Sequence, residues 1–441
     1  MSSQTQPMTR QACTELAYAI LKQNDRGGYT VPNNSVYPFQ WNWDSAFVAV
    51  GFATFDHARA WQELDTLFIG QWPDGMVPSI VFHEKADHYY PGPSAWGTHH
   101  IPPTTGISQP PFAATAARII FETERDRQAA LVALERLFNP IFASHRWWHT
   151  IRDPDASGLV TMVHPWESGR DNSPDWDGPL SAVLPTVDVS GLRKDNKIVD
   201  PSERPTDVFY NRVMTLVEEA KALKWEGLSV ARQLSMRVCD LGIQCILLRA
   251  DHDLLAMADI LGRKAEADQL RGWIARSTRA FERLKADDGT FRSLDLVTGK
   301  LAPCVTSASF LPLYAKVASL QEAEILIGLM AAWQADAPFM VPSSDPHHAT
   351  YDRHRYWRGP VWMVVNRMIA DGLAHYGFEQ EAERLRQTSA TSIMSHGFRE
   401  YFDPSDGNGL GGRDFSWTAA MWLNWAGNVS NGQVAELARL T

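Results

Sequence analysis

KAEADQLRGWIARSTRAFERLKADDGTFRSLDLVTG occupies residues 264–299, and its two halves follow different rules. In the first half Leu270, Trp273, Ile274, Phe281 and Leu284 recur at i, i+3, i+4, i+11 and i+14. That spacing puts them on one stripe of an amphipathic helix over 264–284, with charged residues on the other face. In the second half the helical period stops at Asp288-Gly289, a turn signal, and a short β-like run follows.

Both halves recur along the chain. Helical patterns run over about 9–22, 56–70, 111–123, 126–149, 205–223, 228–249, 304–318, 320–334, 360–376, 378–395 and 415–427. The Asp/Ser-Gly phrase returns in PDGMVPSIVFH (73–83), DASGLVTMVHPWESG (155–169) and SDGNGLGGRDFSW (405–417). About a dozen helices joined by repeating, loop-rich connections predict an all-α fold, an (α/α)6 barrel with six inner and six outer helices. Long loops and short β-hairpins are expected to form a funnel at one end. The barrel is expected to span 1–441 as one catalytic domain, with loop insertions around 71–110 and 150–205 capping the site.

Bulk properties narrow the partners. The net charge of −10 argues against nucleic acid, which calls for a basic stripe, and against an anionic membrane surface. No apolar run reaches a membrane span, and MSSQTQPMTRQACTELAYAI lacks the pattern of a signal peptide. Cys13, Cys239, Cys245 and Cys304 show no CxxC spacing and read as free thiols of a reducing cytoplasm. Seventeen tryptophans are many for 441 residues. Most belong in a core, but those in Gly- and Pro-rich loops are suited to stacking on the apolar faces of sugar rings.

Five loops carry more chemistry than a connection needs. They are YPFQWNWDSAF (37–47), GISQPP (106–111), WESGRDNSPDWDGPL (166–180), YDRHRYWRGPVW (351–362) and FREYFDPSDGNGLGGRDFSW (398–417). Together they set aromatics beside carboxylates, amides and Arg, in a frame stiffened by Gly or Pro. Rings for C–H faces and bidentate polar groups for hydroxyls are what a polyhydroxylated ligand requires. Cleaving a glycosidic bond needs two carboxyl groups, one protonated and one to attack or to activate water. The candidates are an acid within 167–177 and one within 400–406. A calcium loop fits less well: Ser173, Asp175, Asp177 and Gly178 match in part, but Leu184 stands where the bidentate Glu belongs. His99–His100 and His347–His348 lack zinc spacing and no GxSxG is present, and neither metal nor cofactor is expected.

WESGRDNSPDWD closely resembles the W-E-S-G-x-D-N-S-P-x-W/Y-D signature of glycoside hydrolase family 63, and more distantly that of the trehalases. The resemblance extends through FQWNWDSAF, GISQPP, YWRGPVW and FREYFDP…FSWTAA, from about 30 to 425. Within the family the chain looks most like the short bacterial mannosylglycerate and glucosylglycerate hydrolases. The resemblance implies that Asp171 is the general acid and Glu400 the general base of an inverting α-glycosidase, acting on a small α-linked glucoside or mannoside. Inversion calls for a carboxyl gap of roughly 6.5–9.5 Å, enough for a water. It further implies that Tyr37, Trp41, Trp43, Asp44, Gln109, Trp166, Trp362 and Trp417 surround the cleaved sugar. Arg204, Tyr210, Tyr356 and Trp357 match positions near the leaving group, with Tyr89 or Tyr90 within reach. One departure is Phe415, where the glucosylglycerate enzymes carry a glutamine that helps hold glycerate; it puts glycerate as aglycone in question.

On this reading Trp166 and neighbouring acids keep Asp171 protonated, Asp44 accepts hydrogen bonds from the sugar, and Glu167 braces its loop. Two other classes remain in play. A toroidal sugar isomerase or epimerase would press His347, His348 or His354 into service, and a non-catalytic carbohydrate-binding toroid would need neither carboxyl. The expected partner is a small carbohydrate. Glucose against mannose, the aglycone and a homo-oligomeric state are not legible.

Overall fold

The computed structural model describes residues 7–86 and 88–428. Its main helices are α1 (Arg10–Asn24), α2 (Asn42–Phe52), α3 (His57–Phe68), α4 (Ala113–Thr123), α5 (Arg127–Thr150), α6 (Asp207–Ala222) and α7 (Leu241–Ile260). They continue with α8 (Lys264–Ala280), α9 (Leu311–Tyr314), α10 (Leu320–Trp333), α11 (Met363–His375), α12 (Glu379–His396) and α13 (Ser416–Met421). Helices α2, α4, α7, α9, α11 and α13 pack one against the next, and α13 returns to α2, closing a ring. Around it lie α1, α3, α5, α8, α10 and α12, and the whole is an (α/α)6 barrel.

The two rings differ as their environments demand. Outer α8 buries only one stripe, Ala267, Leu270, Trp273, Ser277 and Ala280. Inner α2 buries all eleven of its residues. A helix packed on every side has no polar face, hence no 3.6-residue period, and YPFQWNWDSAF reads as a loop although its second half is this helix. The expected helix over 228–249 is two helices, Gly227–Gln233 and α7, separated by a strand at Val238–Cys239. Asp240 starts α7 as its N-cap, accepting from the Ile243 N–H. The expected helix over 304–318 is a 3-10 turn, Ser307–Phe310, followed by the single turn of α9.

Three two-stranded ladders trim the barrel. Strand β1 (Gln40–Trp41) pairs with β2 (Ile80–Val81), β3 (Val238–Cys239) with β4 (Leu294–Asp295), and β5 (Tyr401–Phe402) with β6 (Gly409–Leu410), all antiparallel. Only the last is a hairpin; the other two join distant connections, contrary to the expectation of local hairpins. Three of the recurring Gly phrases supply strands β2, β4 and β6, and the fourth supplies Met162, which bridges to Val238.

Connection lengths polarise the barrel. Inner helices lead to outer ones through the short segments 53–56, 124–126, 261–263, 315–319 and 376–378. Outer helices return to inner ones through the long segments 25–41, 69–112, 151–240, 281–306, 334–362 and 397–415. Every long segment therefore enters at the N-terminal end of an inner helix, and all five motif loops gather there.

Candidate active site

A cavity opens at that end. Twelve of the fourteen expected site residues line it: Tyr37, Trp41, Trp43, Asp44, Gln109, Trp166, Asp171, Arg204, Tyr210, Tyr356, Glu400 and Trp417. Tyr89 and Tyr90 both reach it, and so does Phe415. Trp357 and Trp362 do not. They are 1% exposed and stacked on each other at 3.8 Å, forming a second layer behind Tyr356, Trp43 and Trp417. Their flat faces are used on one another, so they stiffen the wall instead of meeting the sugar.

The four carboxylates of 166–180 have unlike surroundings. Glu167 is fully buried, meets Arg152 through both oxygens, and accepts from the Ser108 and Val163 N–H groups at 3.2 and 2.8 Å. Asp175 is held by Arg170, Ser173 and Thr306. Asp177 pairs with both arms of Arg358. The Asp171 carboxyl alone takes no hydrogen bond from a side chain; the residue's backbone carbonyl accepts from Trp176 Nε1 at 2.7 Å. The loop folds as short helical turns, Pro165–Ser168, Pro174–Trp176 and Asp177–Ser181, even though its glycines and prolines argue against helix. Each proline sits in a first turn, where no N–H is missed. Gly169 joins two of the turns at φ +66°, and a Cβ there would stand 2.4 Å from the Trp43 ring. Only glycine fits.

Glu400 faces the same cavity from the 397–415 connection. Its Oε1 accepts from the Tyr37 hydroxyl at 2.8 Å and lies 3.7 Å from Arg204 Nη1, while Oε2 accepts from the Gly412 N–H at 3.0 Å. Arg204 also donates to Tyr37 Oη at 3.0 Å and lies 4.2 Å over the Tyr356 ring. Tyr356 holds φ at +49°, a strained value for a bulky residue, in contact with the Tyr37 hydroxyl at 3.2 Å.

Electrostatics separate these acids. Burial pushes the Asp171 carboxyl up to about 7; Arg204 opposes the shift and the Glu400 charge adds to it. Burial also raises Glu400, but Arg204, the Gly412 N–H and the Tyr37 hydroxyl restrain the rise. Asp44, in the first turn of α2, is driven well above the usual carboxylate range by burial and then by Glu400 and Asp171.

Among the cavity residues that escaped the sequence reading are a buried acid and a lysine. Asp195 accepts from Arg193, Arg204 and Tyr210 at 2.9, 3.1 and 3.2 Å. Burial works against its charge, yet the two guanidinium groups bring it down to about 2. Beside it stands Lys194, also facing the cavity. Both sit in GLRKDNK, a charged run without aromatics, indistinguishable by composition from a solvated loop. The one available signal was the pair of arginines, Arg193 and Arg204, bracketing it.

A family profile described as the mannosylglycerate hydrolase MGH1-like glycoside hydrolase domain matches residues 37–418. The chain belongs to this family, within glycoside hydrolase family 63. As a family 63 glycoside hydrolase it resembles mannosylglycerate hydrolase MGH1 of Selaginella moellendorffii, at 44% identity over 93% of this chain and 85% of that protein. The crystal structure of the family 63 mannosylglycerate hydrolase of Thermus thermophilus with Tris superposes with a TM-score of 0.90 at 43% identity, over 93% and 99% of the two chains. That protein has also been crystallised with Tris and D-glycerate. Glucosylglycerate hydrolase of Mycolicibacterium hassiacum is 34% identical over 95% of this chain and 98% of that one. The reading as an α-glycosidase for small glycosides stands, and the isomerase alternative falls. His347, His348 and His354 all lie off the cavity, and His354 is paired with Asp403 at 2.8 Å.

Proposed function

We propose that this glycosidase hydrolyses an α-hexoside of glycerate, mannosylglycerate foremost, by an inverting mechanism with Asp171 as acid and Glu400 as base. One observation carries the roles. Asp171 and Glu400 face one cavity, and the first is unpaired and half-protonated near neutrality while the second is held by a hydroxyl, a backbone N–H and a guanidinium. A protonated Asp171 gives its proton to the glycosidic oxygen, and that C–O bond breaks. Glu400, ionised, takes a proton from a water that attacks the anomeric carbon from the opposite face. Trp43 and Trp417, packed edge to face at 5.8 Å, offer an aromatic corner for the ring, and Asp44 and Gln109 offer polar atoms for its hydroxyls.

The mannosyl and glycerate assignments rest on the names of the relatives, and the cavity supports the second of them with Arg204 and Lys194 in its lining. Phe415 cannot bond a carboxylate, but it packs on Tyr37 and Trp417 at 5.8 and 4.9 Å, on the side of the base. Four buried, unpaired cysteines fit a reducing cytoplasm as the place of action. Among the described residues no helix is long and apolar enough to cross a membrane.

The test is proton NMR of the first-formed sugar from α-mannosylglycerate and α-glucosylglycerate. The expected initial product is the β-anomer. An initial α-anomer would overturn the inverting assignment, and no cleavage of either glycerate glycoside would overturn the aglycone.

A further inference from the structure

We infer that Lys194 is the residue that reads the negative charge of the aglycone, a specificity determinant distinct from the groups that hold the sugar. The inference rests on the proposed anionic aglycone and names its counter-charge.

The cavity has two side chains that carry a permanent positive charge, Arg204 and Lys194. Arg204 is already committed. It is 3% exposed, donates to Asp195 and to Tyr37, lies 3.7 Å from Glu400, and stacks over Tyr356. Its charge is shared between two carboxylates before any ligand arrives. The neighbouring Arg193 is likewise spent, on Asp195 and Asp207, with its guanidinium 3.9 Å over the Tyr210 ring. Lys194 is half-buried at the cavity wall, and among the described residues its ammonium has neither an ion pair nor a hydrogen bond. Asp195, the acid next to it in sequence, is saturated by Arg193, Arg204 and Tyr210 and does not claim it.

Its location is on the leaving-group side. Asp195 bonds Tyr210, Tyr210 packs on Trp166 at 5.8 Å, and Trp166 begins the loop that carries Asp171. A group leaving with the proton of Asp171 departs toward this wall. The opposite wall, beside Glu400, is built of Tyr37, Phe415 and Trp417 and offers no free cation. A flexible ammonium serves as a point charge for a small carboxylate, without the fixed bidentate geometry of a guanidinium.

The experiment compares kcat/KM for an α-mannoside of glycerate with that for the same α-mannoside of glycerol, in wild type, K194M and K194R. The neutral substrate controls for folding and for sugar binding. In K194M the charged-to-neutral ratio is expected to fall by about tenfold, mostly through KM, and K194R is expected to recover most of it. A wild type that prefers the glycerate substrate, with K194M changing the ratio less than about threefold, overturns the role of Lys194 alone. A wild type that cleaves both substrates without preference overturns the anionic aglycone, and the role of Lys194 with it.

Discussion

Glu167 and Asp171 stand four residues apart on one loop, yet they belong to different regions of the molecule. Glu167 lies in the frame, where Arg152 and two backbone N–H groups saturate both of its oxygens. Asp171 lies at the cavity, where no side chain pairs with its carboxyl. The frame turns charge into rigidity, because a buried carboxylate with four donors has one geometry. The cavity leaves charge unsatisfied, and that holds a proton on Asp171 near neutral pH. A loop must do both to position an acid without neutralising it.

The largest effect that sharpens this contrast comes from the cavity. Asp171→Asn and Glu400→Gln each lower kcat by about 10^3-fold on the natural glycoside while leaving the urea midpoint in place. Near-normal turnover in either variant would move the chemistry elsewhere, with Asp44 the next acid to replace. Glu167→Ala tests the frame. It leaves the Arg152 charge buried and alone, which costs about 3–5 kcal/mol of stability by urea unfolding. An E167A chain as stable as wild type would erase the distinction between the two regions. The smallest effect is in pH. As the proposed acid Asp171 works protonated, so kcat/KM is lost as pH rises through about 7. One unit further up, the loss is about tenfold. A kcat/KM profile flat from neutrality to pH 9 would detach the alkaline limb from Asp171.

Legibility followed physical context. Outer helices such as α8 showed themselves because half of each is wet, whereas α2, dry on every side, left no period. Motif loops located the cavity because aromatics, acids and glycines are conspicuous in short segments. Trp357 and Trp362 carried the same composition as Trp43 and Trp417, yet fell one layer back. Composition does not report which face of a ring is already occupied. Lys194 and Asp195 were missed for the opposite reason, since charged loop residues look alike until partners are assigned.

By itself the sequence determined most of the amphipathic helices and their order, the loops that carry the chemistry, and the family to which they belong. These are local properties, written in period and in motif. Only the tertiary structure decided which of four carboxylates in WESGRDNSPDWDGPL is free. Of the partners that remove the other three, Thr306 and Arg358 come from other connections of the barrel, and Arg152 and Arg170 are brought in by the folding of the same one. Whether an acid is paired depends on what the fold brings within about 3 Å of it, and no spacing along the chain encodes that distance.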